Sequence, residues 1–109
     1  MQSFRKMIGE NSGSIVAEMI DCYLEDTPKL ISAIATALQQ GNATQLRQAT
    51  HTLKSSSATL GAITFSNFCK ELEIISRSGN TESGIEKLPQ LETEYQRVKA
   101  ALQIERQQN

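Results

Sequence analysis

The sequence predicts an all-α fold: an antiparallel up-down four-helix bundle with a short additional helix at its N-terminus. Three observations carry that expectation. Six Gly and two Pro in 109 residues leave little material for the turns of a β architecture. Apolar residues recur at three- and four-residue steps along most of the chain. The breaks between these stretches are about two to ten residues long, short enough to force neighbouring helices antiparallel. A chain of 109 residues supports one domain, so 1–109 reads as a single unit. Residues 1–10 then form the short helix and about 12–106 the bundle.

In the first ten residues Phe4, Met7 and Ile8 make a short amphipathic turn ending at Gly9, and Asn11 to Ser14 offer caps for the next helix. That helix carries Val16, Ile20, Tyr23, Thr27, Ile31, Ile34 and Leu38 on one stripe and stops at Gly41 and Asn42. Pro28 lies inside it, on the outer side, and the apolar phase is the same before and after it. A single kinked helix is expected, with two collinear helices capped at Asp26 or Thr27 as the alternative. Thr44 to Leu60 follows, with Leu46, Ala49, Leu53, Ser57 and Leu60 on one face and Gly61 as a terminator. Phe65, Phe68, Cys69, Leu72 and Ile75 form the next face, closing at Ser78, Gly79 and Asn80. Leu88, Leu91, Tyr95, Val98 and Leu102 repeat with coiled-coil-like spacing, Pro89 sits in the first turn, and Gln107 to Asn109 are expected to fray.

Composition narrows the function classes. Eleven Lys and Arg against twelve Asp and Glu give a net charge of -1, so no global field exists to hold nucleic acid or an anionic membrane. The start of the chain is polar and basic, without the apolar core of a signal peptide, and no apolar run approaches the length of a membrane span. A cytoplasmic location is expected, either free or as the cytoplasmic part of a larger membrane-bound protein. Cys22 and Cys69 read as reduced, buried small hydrophobes, and with His51 alone beside them they fall short of a zinc set. The amphipathic pattern begins directly after Met1, as it would in a piece of a longer chain.

His51 is the one histidine. On a helical wheel it falls nearly opposite the centre of an apolar sector roughly 100° wide, which places it in solvent and not in the core. Arg47, Gln48, Lys54, Ser55 and Ala58 share its stripe. Lys54 lies one turn away, and the small Ser55 and Ala58 leave the ring open to an approaching partner. Ser55, Ser56 and Ser57 are poor interior helix formers; Ser56 and Ser57 suit the bundle seam by bonding back to carbonyls one turn earlier. The chemistry that fits is phosphoryl acceptance. A neutral imidazole nitrogen attacks phosphorus, a cation offsets an added charge of about -2, and an acceptor on the other ring nitrogen fixes the tautomer. Glu73, on the flank of the following helix, can supply that acceptor, or it can simply pair with Arg77 at i,i+4.

The segment His51-Thr52-Leu53-Lys54-Ser55-Ser56-Ser57-Ala58-Thr59-Leu60-Gly61-Ala62 resembles the signature of histidine phosphotransfer (HPt) domains, roughly H-x-L-K-G-[SA]-[SA]-x-x-L-G. Phe65, Cys69, Leu72, Glu73, Arg77 and Gly79 continue the likeness in register, and the run Tyr23 to Pro28 is similar to the family's first long helix. The likeness covers nearly the whole chain. It implies a phosphocarrier, not an enzyme in its own right, with His51 carrying the phosphoryl group and Lys54 steadying it. The aspartate of a response-regulator receiver domain would donate or accept that group, and the chain would be a monomer, free or covalently part of a hybrid sensor kinase. It implies no cofactor and no metal in this chain, with Mg²⁺ in the receiver's acidic pocket. Arg47, Gln48, Ser55, Ala58 and Arg77 would form the docking surface. Ser55 stands where the family usually has Gly, which implies an altered partner preference or rate.

Two other readings compete. The phosphoacceptor and dimerisation domain of a sensor histidine kinase also carries a His on a helix, typically beside an acidic residue that serves as base; here the neighbour is Thr52. A non-catalytic helical adaptor would make His51 incidental.

Overall fold

The computed structural model describes residues 11–108, and among these the chain forms helices joined by short turns. The expected short helix over 1–10 lies outside the described residues. The first described helix, α1, spans Asn11–Gln40 without a break at Pro28. Ile20, Tyr23, Thr27, Ile31, Ile34 and Leu38 are all buried along it, as the stripe requires. Pro28 is exposed. The carbonyl one turn back that loses its N–H partner therefore lies on the side where water can replace it, and the helix continues. Asn11 to Ser14, expected as caps, are already inside the helix.

Helix α2 spans Ala43–Thr59, and its N-cap Asn42 accepts from the Gln45 N–H at 3.0 Å. Helix α3 spans Ile63–Ser78. The turn between them is a Schellman motif: Ala62 N–H donates to the Ser57 carbonyl at 2.9 Å and Gly61 N–H to that of Ala58 at 3.0 Å. Gly61 has φ 82°, a left-handed conformation that favours a residue without Cβ. So tight a turn holds α3 antiparallel against α2. Ser66 Oγ ties the two together by donating to the Lys54 carbonyl at 2.9 Å.

A one-turn helix, α4 (Glu82–Ile85), was not expected from the sequence. Gly84 lets it sit over the core: a Cβ there would lie 2.7 Å from Leu38 Cδ2 and 3.2 Å from Leu72 Cδ2. The last helix, α5, spans Leu88–Gln108, with Pro89 in its first turn, where no backbone donor is needed. Gln107 and Gln108, expected to fray, continue the helix, and Asn109 lies outside the described residues.

Helix α2 packs on α3 and α1, and α5 closes the ring against α1 and α3, so α1, α2, α3 and α5 are the four helices of the bundle. Leu46, Leu53, Phe65, Cys69, Leu72 and Leu91 meet at its centre with no exposed surface. The Phe65 and Tyr95 rings pack at 5.9 Å between centroids. Ser57 corrects one expectation. Its hydroxyl shares a 2.7 Å hydrogen bond with Tyr23 of α1 and does not bond back along α2, whereas Ser56 does bond back, to the Leu53 carbonyl at 3.3 Å. Burial pushes the Tyr23 phenol up to about 12, so that hydrogen bond is between neutral groups at all ordinary pH. Both cysteines are free: Cys69 is buried and its thiol pushed up to about 12, but Cys22, expected to be buried, is exposed. Cys22 sits between the buried stripe and the outer face of α1.

Candidate functional site

At the middle of α2, on the side away from the core, the His51 side chain is 65% exposed. Its Nδ1 lies 2.8 Å from Glu73 Oε2, across the α2–α3 contact. Lys54, one turn along α2 and half-buried, donates its Nζ to the other oxygen, Oε1, at 2.7 Å. Arg77, one turn along α3, has a guanidinium nitrogen 4.0 Å from that same oxygen. Both contacts expected of Glu73, with His51 and with Arg77, are therefore present, the one to His51 much the shorter; the hydrogen bond from Lys54 was not expected from the sequence.

Glu73 is only 3% exposed, a position that an ionised carboxyl occupies only when its partners compensate for lost water. The Lys54 hydrogen bond is the largest influence; burial opposes it, the His51 hydrogen bond adds to it, and the carboxyl is held below its usual range. An ionised carboxylate only accepts hydrogen bonds. Nδ1 of His51 therefore carries a proton toward Glu73, and in the neutral ring the lone pair is on Nε2. One buried carboxylate thus orients the His51 ring and anchors a cation beside it.

The two flanks of His51 differ. Toward α3, Arg47, Gln48, His51, Glu73 and Arg77 line a depression of about 350 Å³. Toward α1 lies a groove of about 530 Å³, which the sequence reading did not identify. Ile15, Met19 and Leu30 of α1 face Thr52, Ser56 and Leu60 of the α2 side across it, with Glu18 and Asp26 also along it. The signal was in the sequence: Ile15, Met19 and Cys22 form a second helical stripe beside the core stripe. Ser55 and Ala58 are exposed on the ridge between the flanks, as are Arg47, Gln48 and Arg77 around the depression. Among the described residues no group of His, Cys, Asp and Glu is arranged to hold a metal ion, and no helix is long and apolar enough to cross a membrane.

Comparison with known proteins gives concordant results. The family model for the Hpt domain matches residues 18–101. Histidine-containing phosphotransfer protein 5 of Arabidopsis thaliana is 29% identical over 102 residues, 91% of this chain and 65% of that protein. Histidine-containing phosphotransfer protein 2 of the same plant is 30% identical over 102 residues, with the same coverage of 91% and 65%. This chain thus spans just under two thirds of the length of these plant relatives. The crystal structure of histidine-containing phosphotransfer protein B (HptB) from Pseudomonas aeruginosa PAO1 superposes with a TM-score of 0.82 at 27% identity, covering 99% of this chain and 90% of that one.

Proposed function

This chain belongs to the Hpt domain family, and from that membership we propose that it is a phosphorelay intermediate that takes a phosphoryl group from a receiver-domain aspartate onto His51 and passes it to another receiver. The observation that carries the assignment to His51 is the Glu73 bridge, which leaves Nε2 as the exposed nucleophile and sets Lys54 beside it.

In the forward step the Nε2 lone pair attacks phosphorus of the acyl phosphate. The bond from phosphorus to the aspartate oxygen breaks, and its electron pair stays on the departing carboxylate. Little covalent work is asked of the protein in such a transfer; positioning and charge compensation dominate. Lys54 Nζ has three protons and spends one on Glu73, so it can hold a phosphoryl oxygen without releasing that carboxylate. Arg47 and Arg77 line the depression next to the ring and add positive potential there. Mg²⁺, in this reading, belongs to the acidic pocket of the receiver, so neither partner alone is a complete active site.

Docking uses the whole ridge. Ser55 and Ala58 allow a close approach, Arg47, Gln48 and Arg77 meet the acidic side of the receiver, and the groove between α1 and α2 gives it an apolar seat. A monomeric carrier in the cytoplasm belongs to this reading. Incubation with a phosphorylated receiver and Mg²⁺ is expected to label the chain at an acid-labile, base-stable position, and His51→Gln is expected to abolish the label. Equal labelling of the two chains would refute the assignment.

A further inference from the structure

We infer that the charge of Glu73 keeps the proton on Nδ1 of His51 through the whole phosphorylation cycle, so that phosphorylated His51 is held in a cationic form that discharges readily. This rests on the reading of His51 as the acceptor. In the resting chain the hydrogen bond to Nδ1 needs only an acceptor, and a neutral amide oxygen would serve. The charge matters once phosphorus is bonded to Nε2, because Nδ1 can then either keep its proton, leaving the ring positive, or lose it.

The groups facing the ring decide between these forms. From α3, Glu73 presents Oε2 at 2.8 Å, and Arg77 stands 4.0 Å from Oε1. From α2, Lys54 holds Oε1 at 2.7 Å, and Arg47 lines the depression one turn away. From α1, Glu18 and Asp26 line the groove on the far flank. The two carboxylate oxygens are thus divided: the cations occupy Oε1, and Oε2 is left to the ring. An anion with almost no exposed surface of its own, at hydrogen-bonding distance from Nδ1, favours the protonated ring.

The consequence is a transfer in which no proton has to move. A receiver carboxylate oxygen attacks phosphorus, the bond from phosphorus to Nε2 breaks, and its electron pair returns to Nε2. The ring leaves as neutral imidazole already in its resting tautomer, hydrogen bonded to Glu73. The reverse step retraces the same path. A glutamine at this position would still accept from Nδ1 in the resting chain, but after phosphorylation its amide N–H can donate to a deprotonated Nδ1 and favour the neutral, poorly discharged ring.

The test is the decay of the phosphorylated chain, charged with a small phosphoramidate and followed by ³¹P NMR between pH 6 and 9. Wild type is expected to decay at a rate nearly independent of pH over that range. Glu73→Gln is expected to become longer-lived as pH rises, approaching about tenfold per pH unit where the neutral ring dominates. Glu73→Asp restores the flat profile. A merely structural role changes rates without changing the profile, so parallel profiles for wild type and Glu73→Gln overturn the inference. If Glu73→Gln does not fold, wild type alone decides: a phosphorylated ring lacking its Nδ1 proton at pH 8 in ¹⁵N spectra overturns it, and a retained proton supports it. Phosphorylation of His51→Gln equal to that of wild type removes the acceptor reading and the inference with it, a result separate from either profile.

Discussion

The two flanks of α2 do different work with different materials. On the α3 side of the His51 ring the contacts are polar and short: one buried carboxylate, with the ring at 2.8 Å and the Lys54 ammonium at 2.7 Å. Toward α1 the groove is open and largely apolar, with Ile15 39% and Met19 44% exposed. Directional hydrogen bonds around a buried charge fix atoms to within fractions of an ångström, which in-line transfer needs. In the docking proposed above, apolar side chains along an open groove would adapt to the partner and supply affinity without dictating its chemistry. A carrier that serves more than one receiver gains from keeping the two apart.

Mutations on opposite flanks should therefore separate into different kinetic constants. The largest effect is expected from Lys54→Ala, which removes a charge-assisted hydrogen bond worth about 1.5–3 kcal/mol. Transfer at saturating receiver should slow by roughly 10- to 100-fold with KM little changed. Met19→Glu should do the reverse, raising KM about tenfold through about 1–2 kcal/mol of lost apolar burial while the saturated rate holds. Because the two side chains share no partner, the double variant should show the sum of both effects. A coupling of more than about 0.5 kcal/mol would mean that the flanks act as one surface.

Acid should also separate them. The Glu73 carboxyl is held below its ordinary value of 4.5, so the stabilisation it provides is complete above that pH and is lost as pH falls through the depressed value. Thermal melts of wild type and Met19→Glu should lose stability in parallel below pH 4.5, whereas Glu73→Gln, with nothing to titrate there, should lose less. The smallest effect is expected on the ridge. Ser55→Gly should change transfer by less than about threefold and cost about 0.5 kcal/mol of stability through helix propensity, read from transfer kinetics and a denaturant melt.

The long elements were legible because each carries a stripe that only one helical phase can bury, and Pro28 could be passed over because it falls outside that stripe. Helix α4 was not legible: a single turn has no periodicity, and the role of Gly84 depends on Leu38 and Leu72, distant in sequence. The exposure of His51 and its neighbourhood with Lys54 follow from spacing on one helix. The burial of Glu73 does not, since it depends on how closely α3 approaches α2 and on which cations that approach supplies. The same holds for Ser57, which found Tyr23 on another helix. Ile15, Met19 and Cys22 make a second stripe, but a stripe alone does not say whether a neighbour covers it; here it lies open along the groove between α1 and α2.

The most direct measurement is ³¹P and ¹⁵N NMR of the histidine-labelled chain after transfer from a phosphorylated receiver. Phosphorus is expected to couple to Nε2 of His51, with Nδ1 still hydrogen bonded to Glu73. Phosphorus on Nδ1, or on any residue other than His51, would contradict it.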